Sequence, residues 1–353
     1  MTTSILQGGL ACPAPITTHD CVVIGHGSGG KLSARLIEEH FLPHFRGDAL
    51  AQLGDASIVS AGGARLAVST DTFVVSPLEF RGGNIGDLAV NGTVNDLAMM
   101  GAIPLYLTVG FILEEGLPFA VLDRVIASMA AAATAAGVQI IAGDTKVVER
   151  GKGDGLFINT TGIGMVNPDF RPAPDKVVPG DAVIVSGDIG VHGMTILAER
   201  DGIGFEADLG SDTASLHALV QVLREFTGGD VHALRDPTRG GVASTLNEIA
   251  KASGVGIELK EDALPIPPVV QGACEMLGLD PLYVANEGLL VAFVPAEVAG
   301  AALEAMHAHP LGRRAAVIGQ AVREHPGMVV LRTGMGGTRI VDMLPGDQLP
   351  RIC

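Results

Sequence analysis

The sequence predicts two domains that each mix helices and strands: an α+β domain, then an α/β domain, then a flexible tail. Three observations carry this. The chain has 353 residues, enough for two full cores, and 47% of them are hydrophobic. Segments of helical and strand period follow one another in mixed order, with no close internal repeat, which argues against an eight-repeat barrel. The run Asn167-Pro168-Asp169-Phe170-Arg171-Pro172-Ala173-Pro174 holds three prolines in seven residues and denies hydrogen-bond donors to any regular element. The expected division is an arm over 1–18, a first domain over 19–166, a linker over 167–180, a second domain over 181–332 and a tail over 333–353. With no Trp, two Tyr and 48 Gly, the cores must be aliphatic and alanine-rich.

In chain order, Cys21 to Ile24 reads as a strand running into Gly25-His26-Gly27-Ser28-Gly29-Gly30-Lys31. Leu32, Leu36, Ile37 and Phe41 then keep helical spacing. Ser57 to Val59 and Leu66 to Thr70 read as strands around a Gly62-Gly63 turn. Asn84 to Met100 is a helix, Leu105 to Ile112 a strand, Leu122 to Ala136 an alanine-rich helix, and Val138 to Ile141 and Leu156 to Thr161 further strands. In the second half, strands fall at Ala182 to Ser186, Gly256 to Leu259, Leu289 to Val294 and Ala316 to Ile318. Helices fall at Gly193 to Arg200, Leu216 to Phe226 and Gly240 to Lys251.

Lys plus Arg number 23 against 39 Asp plus Glu, a formal charge of -16, whose field repels nucleic acid and anionic membrane. ATP stays compatible, because divalent metal bridges carboxylates to phosphates. The four cysteines, Cys12, Cys21, Cys274 and Cys353, form no CxxC pair and make a poor disulfide or zinc framework. Cys21 and Cys274 read as core residues. Cys353 is the last residue, where a thiol can be carried into an active site. The opening residues lack a signal-peptide pattern, the alanine-rich helix is too short to span a bilayer, and the expected location is the cytoplasm.

Gly25 to Lys31 fits G-x-x-x-x-G-K, but Leu32 stands where a phosphate-binding loop needs Ser or Thr for magnesium. The loop therefore reads either as a phosphate contact, as a tight turn, or as a mobile flap. The densest signal comes next in the chain. Asp71 ends a strand, and Asp87, Asn91 and Asn95 repeat every four residues on one helix face. Asp96 lies about 180° from Asp87 on a regular helix. Hard oxygen ligands of this kind suit magnesium on phosphates, and Arg235-Asp236-Pro237-Thr238-Arg239-Gly240-Gly241 adds a further acidic loop. The competing reading is a set of polar helix faces with an acidic N-terminal cap.

Asp71-Thr72, Asp87 to Gly101 and Asp236 to Gly241 resemble the superfamily of aminoimidazole ribonucleotide synthetase and selenophosphate synthetase. The ending Pro350-Arg351-Ile352-Cys353, with Asn95-Asp96-Leu97-Ala98-Met99-Met100-Gly101 and the glycine loop, is similar to the HypE hydrogenase maturation family over nearly the whole chain. The resemblance implies a first domain that binds ATP and pairs with a second copy, the two sheets forming a barrel-like core of a homodimer. It implies Asp71, Asp87, Asp96 and Asp236 as magnesium ligands, with Thr72, Asn91, Thr93 and Asp144 near the nucleotide or metal.

The implied chemistry is ATP-dependent dehydration of an S-carbamoyl group on Cys353 to a thiocyanate, the source of a cyanide ligand for nickel-iron hydrogenase. The implied partners are a HypF-like carbamoyltransferase and a HypC–HypD-like assembly complex. An amide oxygen is a poor leaving group until it is phosphorylated, and a general base must then sit beside the nitrogen. Glu287, just before an apolar strand, is the candidate base, and Lys146 the candidate for orienting the oxygen or phosphoryl group. His192 is equally a satisfied histidine at a helix start and is left outside the catalytic set. Two other readings stay open: an ATP-dependent small-molecule synthetase of the same superfamily, and a non-catalytic maturation scaffold. A selenophosphate synthetase would carry a reactive Cys or Sec in the glycine loop, and this loop has none.

Overall fold

The computed structural model describes residues 19–45, 47, 49–50, 53–200, 209–344, 346 and 351–353. The arm expected over 1–18, with Cys12, lies outside the described residues, as do parts of the tail. A 3₁₀ turn, Ile24–Gly27, stands where the sequence predicts a strand. Its first residue Ile24 is exposed, as are Val22 and Cys21 before it, so this apolar run finds no sheet to join and Cys21 is not a core residue. Helix α1, Lys31–Leu36, continues as a π-helical turn through Phe41.

The first domain then runs β1 (Ser57–Ala61), β2 (Ala64–Phe73), β3 (Glu79–Phe80), β4 (Gly83–Asn84), α2 (Ile85–Met99), β5 (Ala102–Glu114), α3 (Phe119–Ala135), β6 (Gln139–Val148) and β7 (Leu156–Val166). Its main sheet has the order β1-β2-β7-β5-β6, antiparallel except for β5–β6. Burial alternates along β7, as expected of a strand with one covered face. Helix α2 covers that face and is buried almost throughout, which explains why its apolar residues do not form a single stripe. Strand β6 is exposed along nearly its whole length at the sheet edge.

Residues 167–180 carry one 3₁₀ turn, Pro174–Lys176. Phe170 within them is fully buried and packs with Ala98 and Met99 of α2 and with apolar residues of the second half, so the two halves share a core. The second domain runs β8 (Ala182–Val185), α4 (Val191–Arg200), α5 (His217–Phe226), β9 (Ala233–Arg235), α6 (Gly241–Ser253), β10 (Gly256–Lys260), α7 (Pro268–Leu277), β11 (Val291–Val294), α8 (Ala296–Ala308), β12 (Ala316–Val322), β13 (Val329–Arg332) and β14 (Thr338–Val341). Its mixed sheet has the order β14-β13-β10-β12-β8-β11-β9. Cys274 is buried, as expected, 3.8 Å from the Met194 sulfur.

The tail boundary shifts. Thr338–Val341 pairs with β13 as an edge strand, so these residues belong to the second domain and the chain leaves it only after Val341. Among the described residues no helix is long and apolar enough to cross a membrane.

Candidate active site

Strand β2 and helix α2 bring the first acids together. A Cβ at Gly92 would stand 2.9 Å from the Phe73 ring and 3.8 Å from Asp71 Oδ2, so a glycine lets the helix lie directly on the strand end. Asp96 is one turn further along that face. Its carboxylate accepts the Ser69 hydroxyl at 2.5 Å. The second domain adds Asp236 from the loop after β9. Gly240 and Gly241 follow it with φ of 77° and 60°. A side chain at Gly241 would meet the Leu282 and Val284 carbonyls at 2.5 and 2.7 Å, so glycine alone permits this close approach. Asn286 ties the loop down, donating to the Pro237 carbonyl at 3.0 Å.

Carboxylate oxygens of Asp55, Asp96 and Asp236 lie within 4.8 Å of one another. They line a cavity of about 410 Å³ with Asp71, Arg235, Thr238, Arg239 and Gly27 and Gly29 of the glycine loop. The pKa of Asp96 is raised well above the carboxylate range, by burial first and then by Asp236 and Asp71. That of Asp236 is pushed up to about 6, chiefly by burial. Arg235 pairs with Asp55 and, at 3.0 Å, with Glu248. A converging set of hard oxygens that burial and mutual repulsion make costly to ionise is the donor set a divalent cation relieves, so these residues fit magnesium.

A second cavity, about 270 Å³, is lined by Ile24, Gly27, Ser28, Thr72, Val74, Arg239 and the chain end Arg351, Ile352 and Cys353. Gly27 and Arg239 belong to both cavities. Arg239 has its pKa raised by charge at Cys353 first, then by Asp71, Glu287 and Asp96. It lies 3.9 Å from Asp71. The thiol chamber and the acidic chamber are thus neighbours across one guanidinium. Glu287 is 3% exposed, and its Oε1 is buried without a hydrogen-bond partner. Its pKa is raised well above the usual range, by burial first, then by Asp212, Asp71 and Asp236.

The chain end is docked. The Val74 N–H donates to the Cys353 main-chain oxygen at 2.9 Å and the Ser76 N–H to the Arg351 carbonyl at 3.2 Å, while Ile352 bridges Val75 antiparallel. Arg200 donates to the Arg351 carbonyl at 2.5 Å, and Arg351 itself reaches Asp154 at 2.5 Å. This is a short form of strand addition, with the protein's own terminus as the peptide.

Several expected residues stand elsewhere. Asp87 is not brought to the acidic cavity. It closes the capping box of α2, accepting the Asn84 N–H at 3.1 Å and the Ser128 hydroxyl at 2.7 Å. Asn91 and Asn95 share its face, but the second domain covers that face. Asn91 donates to Thr213 and accepts from Ser215, and Asn95 holds the Ala214 and Glu287 carbonyls and the Leu216 N–H. Thr93 is fully buried, bonded to Thr160, and lines neither cavity. Asp144 and Lys146 pair at 2.5 Å on exposed β6. Lys146 registers through Ile112 and Phe157 next to the Ile158–Phe73 pair, four strand spacings from the tail's dock, or about 19 Å. Lys31 pairs with Asp342 at 2.6 Å rather than facing the cavity. Sequence reasoning missed Asp55, in a segment with no pattern, and Arg239, which lay inside the acidic loop it singled out.

The buried acids lead to one expected result. Asp212 Oδ1 accepts the Glu287 N–H at 3.1 Å, and burial pushes its pKa up to about 6 from 3.8. A raised pKa contributes stability that is full below about 3.8 and is lost as pH rises through about 6. Asp212→Asn keeps the acceptor and removes the charge, so it should raise Tm more at pH 7.5 than at pH 4. Melting curves across that range check it, and an equal effect at both ends would refute the assignment.

Both halves of the chain match models of one family: residues 53–166 the N-terminal domain, and residues 178–331 the C-terminal domain, of AIR synthase related proteins. That class of two-domain proteins is what the fold and site define. Within it, the chain belongs to the HypE carbamoyl dehydratases of hydrogenase maturation, and it is an enzyme. It is 55% identical to the carbamoyl dehydratase HypE of Azotobacter vinelandii, over 93% of this chain and 96% of that one. A solved structure of a HypE–HypF complex superposes with a TM-score of 0.83 at 45% identity, covering 88% of this chain and 99% of that chain. A solved structure of HypE in complex with ATP superposes with a TM-score of 0.79 at 50% identity, covering 94% of this chain and all of that one.

Proposed function

We propose that this protein uses ATP to dehydrate an S-carbamoyl group on Cys353 to a thiocyanate, for transfer as cyanide to the iron of a nickel-iron hydrogenase. The adjacency of the tail chamber and the acidic chamber across Arg239 supports the reading best. Asp71, Asp96 and Asp236, with Asp55, would hold magnesium, which when bound neutralises phosphate charge. Thr72 lies in the thiol chamber and is suited to orient the carbamoyl group. The carbamoyl oxygen attacks the γ-phosphorus, ADP leaves, and the nitrogen releases one proton to water to give an imidate phosphate. Glu287 then takes the second nitrogen proton as the C–O bond breaks, leaving nitrile and phosphate. Arg239 offsets the negative charge that gathers between the chambers.

A relative's complex with HypF supports a HypF-like donor of the carbamoyl group. Acceptance of the cyanide by a HypC–HypD-like complex rests on the reaction sequence alone. The deciding measurement is the mass of the C-terminal peptide after loading with HypF and carbamoyl phosphate. ATP should lower it by about 18 Da, the loss of one water. Asp96→Asn should weaken magnesium-ATP binding on the order of 10- to 100-fold without unfolding. Parent-like affinity in calorimetry would remove the metal assignment.

The exposed β6 and the apolar Tyr106, Ile112, Ile140, Ile141 and Val147 on the same sheet favour a homodimer whose first sheets meet in a barrel-like core. Lys146 and Asp144 of one copy then act across that interface, since four strand spacings, about 19 Å, separate Lys146 from its own tail. Mixed dimers of a Lys146→Ala subunit and a Cys353→Ala subunit test this. Activity near half the parent level means that Lys146 serves the other copy's tail. Activity close to none means that it serves its own.

A further inference from the structure

The tail's dock contains one group that the proposed chemistry does not use. His192, in the first turn of α4, is completely buried, beneath the edge of the Phe80 ring. Its Nε2 lies 2.7 Å from the Ile352 carbonyl, the residue before the reacting cysteine. Its Nδ1 lies 2.7 Å from the Ser211 hydroxyl, and that hydroxyl accepts the Thr213 N–H at 3.1 Å. A carbonyl only accepts, so Nε2 carries the proton and Nδ1 accepts from Ser211. The carbonyl therefore fixes the tautomer, the serine supports it by donating to Nδ1, and the imidazole is a neutral donor aimed at one backbone atom of the tail.

We propose that His192 is a positioning residue for the tail: it reads the Ile352 carbonyl and thereby sets Cys353 in the thiol chamber beside Arg239. This rests on Cys353 being the reacting residue. The adjoining contacts fix the tail only in part. The main-chain oxygens of Arg351 and Cys353 bond to the backbone of Ser76 and Val74, as any strand would, and Arg200 and the Arg351–Asp154 pair hold only the residue two before the end. His192 supplies the donor between them, and a slip by one residue would leave it facing no acceptor, a costly state for a fully buried imidazole. Full burial also keeps the ring uncharged, its pKa lowered to about 4, so the contact persists across neutral pH.

The groups that face the imidazole are the Ser211 hydroxyl, the Ile352 carbonyl and the Phe80 ring, none of them charged. Loosening by acid should therefore begin only well below pH 6.

The test reads alkylation of Cys353 by iodoacetamide in the full-length protein without carbamoyl chemistry, scored on the C-terminal peptide by mass. Its outcome is therefore independent of whether dehydration occurs. His192→Leu removes the donor and should speed alkylation about tenfold, while buried Cys274 stays protected and ATP affinity holds. His192→Gln, which restores a donor and an acceptor, should return most of the protection. In loaded protein His192→Leu should slow dehydration while carbamoylation proceeds at the parent rate. If Cys274 also reacts, His192→Leu has unfolded, and Ser211→Ala replaces it. Removing that support for the tautomer should raise alkylation by a smaller factor of about two to five. Parent-like protection of Cys353 in a folded His192→Leu or in Ser211→Ala overturns the proposal, as does a His192→Gln variant as exposed as His192→Leu.

Discussion

Cys353→Ala should abolish both the carbamoyl adduct and the thiocyanate while leaving magnesium-ATP affinity within about twofold of the parent. The sulfur is the only atom that the reaction can carry at that position, so no residual rate is expected. The nucleotide residues belong to a separate cavity, joined to the tail's chamber through Arg239 and Gly27. Peptide mass after loading reads the first half, and calorimetry the second. An adduct on Cys12, Cys21 or Cys274 would overturn the carrier assignment outright. For Cys274 the surroundings argue against it. Its pKa is pushed up to about 11 by burial and by Asp280, which disfavours the thiolate.

Glu287→Gln should slow dehydration by about 100-fold or more, the range expected for a positioned general base, and leave carbamoylation unchanged. Glutamine keeps the shape and the backbone contact to Asp212, so the fold should survive. The pH dependence adds a sign. Burial, Asp212, Asp71 and Asp236 raise the pKa of Glu287 well above the ordinary carboxylate range. A base must be ionised, so the single-turnover rate in the parent should still climb with pH above the range where an ordinary carboxylate is already ionised. In Glu287→Gln that climb should vanish. A variant retaining both the parent rate and the slope would show that another group takes the proton.

Much of this arrangement is legible in the residues alone, and the reasons for the gaps are specific. The prolines between Asn167 and Pro174, the patterned strands and the long α2 carry enough local signal to be read directly. Helix α8, with its many alanines, carries little amphipathic contrast, and β9 and β13 are only three and four residues long. The strand expected at Cys21 to Ile24 failed because hydrophobicity alone does not supply a neighbouring strand. In the site, the sequence points to Asp71, Asp96, Asp236 and Glu287, and the fold brings charge from all four onto Arg239 or onto one another. Periodicity also placed Asp87, Asn91 and Asn95 on one face. It says which residues share a face, never what will cover it. Here the second domain does, so the two asparagines hold domains together and Asp87 caps its helix.

Strand β14 ends at Val341, and 12 residues, 342–353, connect it to the reacting end. The substrate of this enzyme is thus leashed to it. A leash of that length spans at most about 40 Å when fully extended. It holds the sulfur at a local concentration in the millimolar range. Saturation is therefore set by tether length rather than by how much loaded protein the cell contains, and dilution that leaves the dimer intact should not slow a turnover that has already been primed. The same leash defines the competition a carbamoyl donor faces. It must outbid a neighbour that never diffuses away, and it must bring its own catalytic centre to within a tail's length of the strand edge.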